Sequence, residues 1–210
     1  MKKILIVLGV IIGAILLFIL IAGGSYNKLV RLQTATDGAW AQVQNVYQRR
    51  ADLIPNLVST VSGAANFEKS TLTEITAARA SVGQVKIDAS KAPTDAAALE
   101  QFDKAQQGLS GALSRLLVVS ERYPDLKATS NFRDLQAQLE GTENRISVER
   151  GRFNEAVQSY NAAIRSFPAV LYAGLFGFKE HPYFTATAGS EAPPKVNFDF
   201  NNKPATTPEK

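Results

Sequence analysis

Cysteine is absent from this 210-residue chain, and histidine, tryptophan and methionine each occur once. Without cysteine there are no disulfides, zinc–thiolate sites, iron–sulfur clusters or cysteine nucleophiles. The compartment stays open, because a cysteine-free protein is at home in reducing and oxidising surroundings alike. A single histidine, His181 in the segment HPYF, cannot build the Glu-x-x-His pairs of a di-metal carboxylate bundle. Glu140 and Glu143 have suitable spacing for one half of such a site, but no histidine accompanies them. A phosphate-cradling glycine loop, an HExxH helix and a GxSxG elbow are all missing. The formal charge is only +4, and no Lys/Arg run is longer than a pair such as Arg49–Arg50. The concentrated basic patch of a nucleic-acid binder is therefore lacking, and nucleic acid is not an expected partner. No catalytic, cofactor-binding or metal-binding residues are assigned, and no cofactor is expected.

What is present begins with ILIVLGVIIGAILLFILIA, residues 4–22, which carries no polar side chain. A run of about 18 or more apolar residues can span a bilayer. A cleaved signal core is shorter and ends at an A-x-A site, whereas this run ends IAGGSYN. The sequence predicts a retained transmembrane anchor at 4–22, in contact with lipid, behind a cationic N-terminus at 1–3. Lys2 and Lys3 precede the run and Lys28 and Arg31 follow it, so the positive-inside rule is nearly balanced. The expectation is an inner-membrane, single-pass protein with a cytoplasmic N-terminus and an extracytoplasmic bundle.

From Tyr26 a heptad stripe runs through Gln33, Trp40, Tyr47, Ile54, Val61, Glu68, Ile75 and Val82, with Leu29, Val43, Leu57 and Ala64 beside it. Apolar residues at this spacing mark helices packed side by side. The phase survives Pro55 and Gly63, which predicts a bent but continuous helix. Its kink at Pro55 leaves the Ala51 carbonyl in need of a new partner. DASKAPTD (88–95) reads as a loop, with Thr94 or Asp95 capping the next helix. A second stripe follows at Phe102, Leu109, Leu116 and Tyr123, stopped by Pro124. PDLKATS reads as a turn, with Thr129 or Ser130 as the next cap. The third stripe is Phe132, Leu139, Ile146, Phe153, Tyr160 and Phe167. PAVLYAGLFGF reads as a small helix capping one end of the bundle, with a membrane-surface role as the alternative.

The fold class is thus all-α: an antiparallel long-helix bundle of three to four helices, the first kinked at Pro55, after one N-terminal transmembrane helix. The bundle occupies 26–184. Residues 185–210, rich in Pro, Ala, Thr and Asn, read as a disordered tail.

Two seam charges stand out, since a buried charge needs a partner. Arg50 has candidates in Glu121, Asp134, Glu140 and Glu143, and Glu68 poses the same question. Solvent exposure where helices splay is the alternative for both. Arg145, Glu149 and Arg152 read as a solvated charged face, and His181 as a loop residue.

These residues together resemble the LemA family of bacterial membrane proteins. The resemblance lies in YNKLV (26–30), Trp40-x-x-Val43, RRADLIPNLVSTV (49–61), Phe67-Glu68 and Ala78-Arg79. It continues in ERYPDLKA (121–128), F-x-x-LQ-x-QLEGTENRI (132–146), ER-x-x-FN (149–154) and YN-x-x-I-x-x-FP (160–168). Where relatives often carry Tyr and His before the Glu, this chain has Asn66 and Phe67. The resemblance implies a short membrane anchor, an antiparallel helical bundle and a Pro55 that belongs to a family signature. It implies no enzyme activity.

The functional expectation is a non-catalytic scaffold or protein-interaction module of the cell envelope, with envelope proteins as unnamed partners. One alternative is a signalling or sensory subunit, which a flexible Gly23–Ser25 joint would argue against. Another is an enzyme with an unrecognised site, which a deep polar pocket between helices would favour. Heptad seams can also close between chains, so a homo-oligomer is open.

Overall fold

The computed structural model describes residues 2–64 and 67–185, apart from the side chains at 5, 15, 18 and 21. Among the described residues the protein is all-α and contains no strand. Helix α1 covers Lys2–Ser62, α2 Lys69–Gln84, α3 Ala96–Ser120, α4 Pro124–Ala128 and α5 Ser130–Arg165, followed by a 3₁₀ turn at Ala169–Leu171. At 1.5 Å per residue the 36-residue α5 is about 54 Å long.

The heptads decide which faces meet. Helices α1 and α5 run antiparallel: Leu29 packs with Tyr160 near one end, Trp40 lies 5.5 Å from Phe153 between ring centroids, and Ile54 and Leu57 share a cluster with Leu139 and Phe132. Helix α3 runs parallel to α1, placing Phe102 against Trp40 and Tyr47 at 5.7 and 5.2 Å. Helix α2 runs back along α3, with Glu68 2.8 Å from Arg122 and Glu74 paired to Arg115. Fully burying one such large apolar side chain contributes about 1.5–3 kcal/mol, so three contiguous clusters hold the bundle along its length.

Local signals set several boundaries. The Asp95 carboxylate accepts from the Ala97 amide at 2.9 Å, and the Thr129 hydroxyl accepts from the Phe132 amide at 3.4 Å, so each caps the helix after it. Pro55 lies inside α1, which runs through it as one helix. The Ala51 carbonyl, deprived of its usual donor, accepts from Arg79 Nε on α2 at 3.3 Å.

Other expectations need correction. The first helix does not continue past Gly63: α1 ends at Ser62 and α2 is a separate antiparallel element. Glycine is among the poorest helix formers, and Phe67 fills the corner against Tyr123 at 4.9 Å. The heptad phase persisted because Ile75 and Val82 also face α3, from a new helix. Pro124 does not stop α3, which ends four residues earlier at Ser120; it starts α4, where the first-turn position needs no amide donor. PDLKA is therefore helical rather than a plain turn. Phe167 falls beyond the end of α5 and is 73% exposed, off the stripe that predicted it buried. Glu149 is buried, with Arg152 at 2.9 Å, rather than part of a solvated face.

The apolar run lies in α1. Among the described residues no helix is long and apolar enough to cross a membrane; positions 5, 15, 18 and 21 of the run fall outside the described side chains. The tail expected at 185–210 lies outside the described residues from 186 onward, as does Asn66.

The Ala51 contact yields a double-mutant test. Arg79→Ala is expected to cost about 1 kcal/mol, and much less in a Pro55→Ala background, where residue 55 regains an amide to serve Ala51. Urea unfolding followed by Trp40 fluorescence measures both. An equal cost in the two backgrounds would remove Arg79 from this role.

Candidate functional site

A group of polar residues inside the bundle forms a seam between α1, α3 and α5. Arg50, from the middle of α1, is 1% exposed. One guanidinium nitrogen reaches Glu143 of α5 at 2.5 Å and the Ser110 hydroxyl of α3 at 2.7 Å. The other donates to the Gln106 side-chain and backbone oxygens. The Arg50 guanidinium carbon also sits 5.2 Å from the centre of the Tyr47 ring. Of the four acidic partners proposed from sequence, the structure selects Glu143. Glu68 is half-buried and pairs with Arg122 instead.

A second pair extends the seam: Asp103 of α3 lies 2.9 Å from Arg150 of α5. Arg150 also stacks over Phe184, with 4.4 Å to the ring centre. Burial raises the Tyr47 phenol above its usual range, while Arg150 and Arg50 pull the other way. Sequence reading missed Asp103, Gln106 and Arg150. The ER of the ER-x-x-FN motif was the available signal for Arg150.

Two asparagines of α5 hold the chain as it returns along the bundle. Asn161 donates to the His181 carbonyl at 2.9 Å and accepts from the His181 amide at 3.0 Å. Asn154 does the same for Phe184, both bonds at 2.9 Å. The spacing explains the pairing. Seven helical residues rise about 10 Å, and three extended residues, 181 to 184, cover about the same distance. Each asparagine supplies the donor and acceptor that an adjacent strand would otherwise provide, so the FN and YN motifs have a mechanical role.

His181 is a loop residue, as expected, but a buried one. Its Nδ1 lies 2.9 Å from the Pro93 carbonyl, which can only accept, so Nδ1 carries the proton. Nε2 is buried with no hydrogen-bond partner among the described residues. The Tyr160 ring lies 5.0 Å away, its phenol pushed up to about 12 by burial and, secondarily, by the charge of Asp37. Asp37 accepts from the Ala92 amide at 2.8 Å and Trp40 donates to the Asp88 carbonyl at 3.0 Å, so both secure the 85–95 loop. A cleft of about 400 Å³ opens here, lined by Gln33, Asp37, Lys86, Lys91, Asp95 and His181 among others. Of its polar groups, Asp37, Asp95 and His181 are engaged in holding the 85–95 loop, the start of α3 and the returning chain. Among the described residues no group of three metal-ligating side chains could hold an ion.

The LemA family model matches residues 39–198, most of the chain and nearly all of the seam just described. The chain belongs to the LemA family. Curated relatives include magnetosome protein MamQ 2 of Paramagnetospirillum magneticum, 27% identical over 187 residues, which cover 80% of this chain and 67% of that protein. Magnetosome protein MamQ of Magnetospirillum gryphiswaldense is 26% identical over the same shares of the two chains. Protein LemA of Metamycoplasma hominis is 28% identical over 160 residues, covering 73% of this chain and 68% of its own. Within this LemA-family chain, the motifs used above as signatures carry the Arg50 pairing, the asparagine clamps and the Arg79–Ala51 contact.

Arg50→Met should cost about 3 kcal/mol, because it strands the buried Gln106 side chain inside the bundle and leaves Glu143 without its cation. Glu143→Gln should cost less, since Glu143 is 41% exposed and glutamine still accepts. Denaturant midpoints with Trp40 as reporter test the order. A costlier Glu143→Gln would mean that charge, not hydrogen-bond satisfaction, holds the seam.

Proposed function

We propose that this protein is a membrane-anchored, non-catalytic helical-bundle scaffold or protein-interaction module of the bacterial cell envelope. The observation that carries the reading is the continuity of α1, a single helix from Lys2 to Ser62. Its first part is the uncharged apolar run 4–22, and its later part supplies Trp40, Tyr47, Arg50 and Ile54 to the bundle core. Described side chains of the run such as Ile4, Val10, Leu17 and Leu20 are exposed, and of the described run only its last turn, at Ala22, packs on a core cluster of the bundle. A lipid bilayer is the environment that matches them. The N-terminus lies in the cytoplasm and the bundle outside it, in contact with envelope proteins.

Crosslinking in intact cells, followed by alkaline carbonate extraction, tests both halves of the proposal. The chain should stay with the membranes and carry discrete protein adducts. Release by carbonate would sink the anchor, and absence of adducts would sink the scaffold role. A Val118→Cys variant, exposed on α3 in a chain with no other cysteine, should react with an impermeant maleimide in intact cells. Labelling only after lysis would reverse the orientation.

The same continuity favours a second reading, in which the bundle passes a packing change across the membrane. Gly23–Ser25 is part of α1, so the joint that would have argued against rigid transmission is helical. Inserting a flexible Gly/Ser linker after Ser25 is expected to abolish any membrane-dependent change in crosslinking pattern while preserving the fold. An unchanged pattern would exclude transmission.

A further inference from the structure

The segment after α5 has two faces. Ala169, Tyr172, Ala173 and Phe178 are buried against Leu29 and Tyr160. Phe167, Val170, Leu171, Leu175 and Phe176 point outward, Leu175 being 87% and Phe176 65% exposed. Gly177, at φ +79°, turns the chain back, and the Phe178 amide closes the turn on the Ala173 carbonyl at 3.0 Å. The buried face holds the loop in place, so the outward face is a fixed feature of the surface.

Beyond the 4–22 run and this loop, the exposed large apolar side chains among the described residues are Tyr26, Val30, Val118, Val148 and Tyr183. The bundle thus collects most of its exposed apolar surface at one end. That end is where α1 leaves the apolar run. The Tyr172 hydroxyl donates to the Ala22 carbonyl at 3.3 Å, and Phe176 packs edge-on to Tyr26 at 5.4 Å. An apolar groove of about 460 Å³ between loop and helix is lined by Ile19, Ala22, Gly23, Tyr26, Tyr172 and Phe176 among others. The loop is therefore level with residues 19–26, a helical rise of about 10 Å straddling the end of the run. Exposed Lys28, Arg31 and Lys179 lie next to these segments in the chain.

We propose that the 167–177 loop is a second membrane contact, which inserts its outward apolar face into the headgroup and upper acyl layer beside the anchor. An interfacial element buries about 5–10 Å into that layer, the depth the contacts with Ala22 and Tyr26 impose once residues 4–22 span the bilayer. Aromatic and leucine side chains toward the lipid with lysine and arginine nearby match a membrane–water interface. The loop would fix the tilt of the bundle on the membrane, which the anchor alone leaves free to rotate about its axis. This inference rests on the anchor proposed above.

Nitroxide labels on the full-length chain test it, in vesicles of three parts phosphatidylcholine to one part phosphatidylglycerol. Single cysteines replace Ile12, Leu175 and Val118 in turn; all three side chains are exposed, so the fold is preserved. Relaxation by oxygen against a water-soluble nickel chelate reports depth. The ratio should favour oxygen several-fold at 12 and 175 relative to 118, with 175 shallower than 12. A ratio at 175 equal to that at 118, with 12 deep, overturns the loop contact and leaves the anchor standing. A ratio at 12 equal to that at 118 overturns the anchor, and the loop contact with it. Shielding of 175 from both reagents means that protein, such as a second copy, covers the loop, and likewise overturns the proposal.

Discussion

A guanidinium kept out of water in the middle of a helical bundle is tolerable only when its surroundings are arranged around it. Arg50 meets that condition by drawing on two other helices: Glu143 from α5, and Ser110 and Gln106 from α3. Apolar heptads permit several sliding registers between long helices. A slide by one heptad, about 10 Å, would part Arg50 from Glu143, Ser110 and Gln106. Fixing α1 against α5 at this level also aligns Trp40 with Phe153 and Leu29 with Tyr160, on the side toward the apolar run.

The same device recurs wherever the backbone or a loop needs a partner. Arg79 serves the carbonyl that Pro55 leaves open, so α2 is tied to α1 at a point where α1 is weakened. Asn154 and Asn161 serve the returning chain, and Asp37 and Trp40 serve the loop between α2 and α3. Several polar residues in the family motifs, among them Arg50, Arg79, Glu143, Asn154 and Asn161, bind one element to another. That use of polar groups is structural. It also explains why the strongest motifs could be recognised without revealing a chemistry.

Much of the architecture was legible because helical periodicity is a local property. The stripes Trp40–Tyr47–Ile54–Val61 and Phe132–Leu139–Ile146–Phe153–Tyr160 face the core as read. A cap at Thr94 or Asp95, another at Thr129 or Ser130, and the need of Ala51 for a new partner followed from local residues, and the structure chose Asp95 and Thr129. The errors arose where periodicity continued across a change of direction. Ile75 stays in phase with Val61 although the chain reverses between them, because a buried face recurs on the next helix as well. Phe167 is in phase but lies after the helix has ended, so its side chain leaves the core.

By itself the sequence determined the long stripes of α1, α3 and α5, their inward faces, the uncharged run at 4–22 and the membership signalled by RRADLIPNLVSTV and the FN and YN motifs. These depend on the order of side chains along the backbone and on a fixed helical repeat. Tertiary structure alone decided that Glu143, not Glu121, Asp134 or Glu140, answers Arg50, and that Asp103 meets Arg150. It alone placed the 167–177 loop beside the end of the apolar run. Those pairings join residues about 50 to 150 positions apart. Their partners are chosen by the relative placement of whole helices, which no local spacing encodes.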